Sequence, residues 1–69
     1  MKYIVVDVKR VNIRKTPAGA TIGHAFLNEI FPYVHHIEGI PFYEIRYKGV
    51  NAYIPSHYAH IIEIKKDGA

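Results

Sequence analysis

Sixty-nine residues make one domain, and a chain this short buries only about 60% of the surface its unfolded form exposes, so it depends on a tight core or on partners. The sequence has no cysteine, which excludes disulfides, thiol nucleophiles, iron–sulfur clusters and every thiolate-bound zinc site. Nine Lys and Arg against six Asp and Glu give a formal net charge of +3, a mild attraction to polyanions such as nucleic acid, teichoic acid or anionic membrane.

The chain opens on Met1-Lys2-Tyr3-Ile4-Val5-Val6-Asp7. Asp7 cuts the apolar run below the roughly 7–15 residues of an export signal's core, and no run approaches the roughly 20 apolar residues that span a bilayer. A soluble protein without membrane insertion or export signal is expected. Tyr3 to Val8 is rich in β-branched residues and predicts a strand, with Ile4, Val6 and Val8 in the phase that faces the core. From Asn12 to Gly19, Ile13 stands among polar residues and Pro17 with Gly19 is turn chemistry, so the spacing predicts a long surface loop. Ile22 to Phe26 is a short strand. Leu27-Asn28-Glu29 then turns the chain, because Asn tolerates left-handed backbone better than most residues other than glycine. Ile30 to Ile37 returns, and Glu38-Gly39-Ile40-Pro41 supplies the next turn.

Two alternating runs meet at Lys48-Gly49 and read as a β-hairpin. In the first arm Tyr43, Ile45 and Tyr47 share one face and Phe42, Glu44 and Arg46 the other. In the second, Val50, Ala52 and Ile54 alternate with Asn51, Tyr53 and Pro55, and Pro55, which has no ladder donor, ends the strand. Ser56-His57-Tyr58 is a tight turn of 3-10 type. Ala59 to Ile64 closes with another strand, and Lys65 to Ala69 is expected to fray.

No window carries sustained helical spacing, and turn signals recur about every 8–12 residues, the pattern of a small all-β sandwich or barrel. With about five to six strands, a barrel is expected over an open sheet, because closure removes unpaired edges.

Four pieces carry a resemblance: Val11-Asn12-Ile13-Arg14-Lys15-Thr16-Pro17, Ile22-Gly23, Phe42-Tyr43-Glu44-Ile45-Arg46-Tyr47-Lys48-Gly49, and Ala52-Tyr53-Ile54-Pro55-Ser56-His57-Tyr58-Ala59. Their order and spacing resemble the bacterial SH3 (SH3b) domain, whose pattern has an Asn-Val-Arg-x-x-Pro opening, an Ile-Gly, a turn glycine, a Trp-Tyr-x-Ile-x-Tyr strand, a second turn glycine and a Gly-Tyr-Val-x-x-x-Tyr ending. The likeness runs from Val11 to Ile62, and residues 1–10 lie outside it. Asn28 and Ala52 stand where the family usually has glycine, and Phe42 replaces its tryptophan and so lacks the indole N–H donor.

The resemblance implies an SH3-like barrel that binds the wall of Gram-positive bacteria, commonly as the targeting module of a phage endolysin or bacterial wall hydrolase. It implies recognition rather than catalysis, action at the cell wall, and, for a phage product, synthesis in the host cytoplasm. A partner catalytic chain is the implied assembly, since some endolysins produce separate binding-module chains. Self-association into a homo-oligomer is also expected, on the ground that the apolar N-terminal strand and Ile61-Ile62-Glu63-Ile64 add apolar surface beyond the barrel core. The Ile54-to-Tyr58 piece is also similar to the Pro-Ser-Asn-Tyr turn of eukaryotic SH3 domains, which bind polyproline helices, but the paired tryptophans and acidic loop of those domains are missing.

The candidate ligand residues are Phe42, Tyr53, Tyr58, His57, Arg14 and Thr16, arranged as a groove between the Asn12–Gly19 loop and the Ile54–Tyr58 turn. Aromatic faces suit sugars and peptide backbones, yet in so small a protein the same rings serve as half-buried packing. Arg14 and Asn12 either contact ligand or fix a loop through backbone carbonyls. Of the five histidines, His35 and His36 point to opposite faces of a strand, and His57 with His60 lacks a third ligand, so no metal and no cofactor are expected. Ser56 has no positioned base, and no enzyme activity is expected. Single-stranded nucleic acid is the competing ligand; it requires Lys9, Arg10, Arg14, Lys15 and Arg46 on the same face as Tyr53 and Phe42. A structural adaptor is the third class.

Overall fold

Alternation of apolar and polar residues lays out seven antiparallel strands in the structure, a computed structural model that describes residues 1–65. They are β1 (Lys2–Val6), β2 (Arg10–Arg14), β3 (Thr21–Phe26), β4 (Ile30–His35), β5 (Phe42–Tyr47), β6 (Val50–Pro55) and β7 (Ala59–Glu63), with a 3-10 turn at Ser56–Tyr58 before β7. The all-β class and the 3-10 turn agree with the expectation from sequence. Strand number does not: seven are present rather than five or six. The added strand is β2, which falls on residues expected as loop. Val11 and Ile13, two apart, point inward and are buried, while Arg10 and Asn12 point out, so the period of two is complete only when the segment is read from Arg10.

The strand order is β3-β2-β6-β5-β4-β1-β7 in a single sheet. Among the described residues no ladder joins β3 to β7, so the hydrogen-bonded sheet is open at those two edges. One face carries the whole core: Ile4, Val6, Val11, Ile13, Ala25, Ile45, Ala52, Ile54 and Ala59 form one buried cluster, with Val8, Phe31, Tyr33, Tyr43 and Tyr47 packed against it. Among the described residues no α-helix covers that face, so shielding of the cluster from water falls to the strands and their partly buried neighbours.

The β5–β6 hairpin has the expected register, from Tyr47 opposite Val50 to Phe42 opposite Pro55. Its two-residue turn puts Lys48 at φ 49° and Gly49 at φ 84°, the paired positive values of a type I′ turn that match strand twist. Asn28 adopts φ 70° in the β3–β4 turn, as its side chain permits. Gly23 meets a different demand, since a Cβ there would collide with the ring of Tyr47.

β1 lies between β4 and β7, and Ile4 and Val6 are fully buried. The N-terminal strand is therefore core rather than surplus apolar surface, which corrects the physical motive given above for self-association. Ile61 and Ile64 do remain exposed. The expected frayed end lies, from residue 66 onward, outside the described residues. Among those described, no helix is long and apolar enough to cross a membrane.

Candidate functional site

The outward residues of β2 face the 3-10 turn across an open cavity of about 450 Å3, lined by Arg10, Val11, Asn12, Arg14, Pro55 and Tyr58. Strand parity places Arg10, Asn12 and Arg14 on one wall, because Val11 and Ile13 fill the core. Pro55 ends β6 and starts the 3-10 turn that carries Tyr58 to the other wall. That turn is fixed through its backbone. Ser56 N–H donates to the Pro41 carbonyl at 2.9 Å, and Asp7 N–H donates to the Tyr58 carbonyl at 2.8 Å. The Tyr58 ring is left free, and the residue is 47% exposed.

Two guanidiniums enter the cavity with different attachments. Arg14 Nη1 donates to the Gly19 carbonyl at 3.0 Å and is half-buried, which ties the β2–β3 loop down. Arg10 Nη2 lies 3.0 Å from Nε2 of His24. Neither arginine is paired with a carboxylate, since the one such ion pair among the described residues is His60 Nδ1 with Asp7 Oδ1 at 2.7 Å. The cavity therefore presents charged donors on one side and a proline and phenol ring on the other, with no acidic residue in its lining.

Of the six residues proposed from sequence, the cavity brings together Arg14 and Tyr58. Tyr53 stands beside Arg14, its register partner, but turns toward Glu44 on the neighbouring β5. Burial of the half-buried ring pushes the Tyr53 phenol above its ordinary value, and the charge and hydrogen bond of Glu44 push it the same way. Glu44 also accepts from Asn51 Nδ2 at 2.9 Å, and Asn51 Oδ1 accepts from Arg46 Nη1 at 2.7 Å. Phe42 is half-buried opposite Pro55 and outside the cavity lining, as are exposed His57 and Thr16. The Thr16 carbonyl instead closes the loop by accepting from Gly19 N–H at 2.9 Å.

Val11 and Pro55 line the cavity without having been proposed as ligand residues, and Arg10 was named only for the nucleic-acid reading, although the spacing Arg10-x-Asn12-x-Arg14 holds the needed signal once β2 is read as a strand. The same parity sets Arg10, Arg14 and Arg46 on the face that bears Tyr53 and Phe42. Arg46 is tied to Asn51 and to the Gly49 carbonyl at 2.9 Å, while Lys9 and Lys15 sit in the bends beyond the ends of β2. Among the described residues no three His, Asp or Glu side chains are grouped to hold a metal ion. His36 Nε2 lies 3.1 Å from the Ile40 carbonyl, and its ring packs against Tyr43. No protein-family model matches the chain, and no curated protein matches it.

Proposed function

We propose that the chain is a non-catalytic wall-binding domain of the bacterial SH3 kind, with the sheet wrapped as an SH3-like barrel, that holds a lytic enzyme at peptidoglycan. The observation that carries this reading is the cavity between β2 and the Pro55–Tyr58 turn. It lies where two pieces of the resemblance, Val11–Pro17 and Ala52–Ala59, meet in space. Its chemistry suits a wall peptide. Arg10, Arg14 and Asn12 offer donors for carbonyl and carboxylate oxygens. Tyr58 and Pro55 offer an apolar wall whose phenol ring loses little rotamer freedom when it is covered.

A cavity this open gives modest affinity alone, so tethering to a catalytic chain or assembly into a homo-oligomer supplies working strength by raising effective concentration. Light scattering of the purified chain tests the assembly: a monomer mass at every accessible concentration removes the oligomer from the proposal. Sedimentation with purified Gram-positive sacculi tests the function. The parent chain is expected in the pellet, and Tyr58→Ala is expected to weaken binding about tenfold, the effect of about 1.4 kcal/mol, while keeping its folded spectrum. A parent that stays in the supernatant but binds single-stranded oligonucleotides, with the steep salt dependence of phosphate contacts, overturns the reading in favour of the basic outer face of Arg10, Arg14 and Arg46.

A further inference from the structure

His24 lies on the outer face of β3 as the register partner of Asn12, and its Nε2 is 3.0 Å from Arg10 Nη2. A guanidinium stays charged and only donates hydrogen bonds. Nε2 is therefore the unprotonated acceptor, with the proton of the neutral ring on Nδ1, and the contact exists for neutral imidazole alone. Among the described residues β3 is an edge strand with β2 as its one neighbour, and β2 presents Arg10, Asn12 and Arg14 on this face. On β3 itself Ile22 and Phe26 flank the histidine. Glu29, the acidic residue of the following turn, is held by its own bond from Phe26 N–H at 2.7 Å. No carboxylate is paired with Arg10, Arg14 or His24 among the described residues.

We propose that the Arg10 end of the cavity, with His24 just outside its lining, is a pH-tuned receptor for a peptide carboxylate, in which the anion lies against Arg10 and protonation of His24 strengthens its hold. The proposal deepens the wall-binding reading and rests on it for the source of the ligand. Once Nε2 carries a proton it no longer accepts from Arg10, and imidazolium and guanidinium then repel each other across a hydrogen-bond distance. A carboxylate between them relieves the repulsion by accepting from both. The opposite wall selects the peptide end over an isolated phosphate, because Pro55 and Tyr58 cover an apolar side chain next to the anion. A free chain end with a small apolar residue supplies both groups.

The test is an NMR titration of the isotopically labelled full chain with acetyl-alanyl-alanine, with its C-terminal amide, and with inorganic phosphate, at about pH 7.5 and 5.5, the range in which histidines ordinarily titrate. The free acid is expected to shift Arg10, Asn12 and Tyr58 signals and to bind about fivefold more tightly at the lower pH. His24→Gln is expected to abolish that gain and His57→Gln to keep it, which separates the histidine in contact with Arg10 from the one in the 3-10 turn. Equal binding of the amide, tighter binding of phosphate, or an acid gain that survives His24→Gln overturns the proposal. Sedimentation of the parent with sacculi beside any of those results leaves the wall reading standing and removes only the carboxylate site. A carboxylate preference with no sedimentation keeps the site and removes the wall as its source.

Discussion

Arg14 stands opposite Tyr53 in the single register pair that joins β2 to β6. The β2–β3 hairpin is thus attached to the rest of the sheet through one rung and the core contacts beneath it, and the Arg14 guanidinium reinforces the loop at its far end through Gly19. Arg14→Ala is expected to destabilise the fold by about 1–3 kcal/mol, the range for a lost hydrogen bond from a charged donor to a part-buried partner. Urea unfolding monitored by tyrosine fluorescence checks it; a change below about 0.5 kcal/mol, as for an ordinary surface substitution, shows that the loop does not depend on this bond.

Tyr53 gives the fold an alkaline dependence of known sign. Its phenol is pushed above the ordinary value by burial first, and by the charge and hydrogen bond of Glu44. Folding therefore raises the affinity for this proton. The contribution to stability is complete below the unfolded value of about 10 and is lost as pH rises through the folded one. Glu44→Gln removes the charge, and the Tyr53 ring signal should then titrate at lower pH than in the parent. An unchanged titration would mean that burial alone raises the group.

Lys48 carries a left-handed backbone that its side chain resists. Replacing it with asparagine, which tolerates that conformation, is expected to stabilise the hairpin by about 0.5–1 kcal/mol. Asn28→Ala should do the reverse in the β3–β4 turn, costing about 1–2 kcal/mol. Melting of the two single variants measures both signs against the parent.

The hairpin, the Asn28 turn and the inward phase of Ile4 and Val6 were legible in the sequence because each is written in local chemistry: a Lys-Gly turn, an Asn where backbone turns left-handed, an alternation of period two. β2 was not, because Pro17 and Gly19 signal a loop and draw the boundary toward Asn12, hiding Val11 as the first inward residue. That one displacement also left Arg10 to the nucleic-acid reading and out of the expected groove. The groove expected between the Asn12–Gly19 segment and the 3-10 turn has a counterpart in the cavity, but its composition depends on contacts across the sheet. Tyr53 is diverted by Glu44, a cross-strand partner 9 positions away in sequence, and Arg10 is met by His24 on another strand. The first pairing follows from the hairpin register, but that Tyr53 bonds to Glu44 and not to a ligand does not, and the second needs the β2–β3 register.

The proposed likeness to bacterial SH3 domains starts at Val11, yet the core does not. Ile4 and Val6 are both at 0% exposure, and β1 pairs with β4 on one side and β7 on the other. Without β1 those two strands lose their common neighbour, and Ala59 loses the Val6 side chain opposite it. Burial of each of the two side chains contributes about 1.5–3 kcal/mol, and a domain near this size holds only about 0.05–0.15 kcal/mol per residue in net stability. Their loss, together with the ladder bonds of a strand paired on both sides, exceeds what the rest can offset. A chain shortened to begin at Lys9 is therefore expected to be unfolded, with the narrow amide spread of a disordered polypeptide in its NMR spectrum. The double variant Ile4→Ala/Val6→Ala, which keeps the strand backbone, should fold only at low temperature or in stabilising osmolyte. If the shortened chain gives the dispersed spectrum of a native sheet, the segment ahead of Val11 is an attachment to the domain and not a part of it.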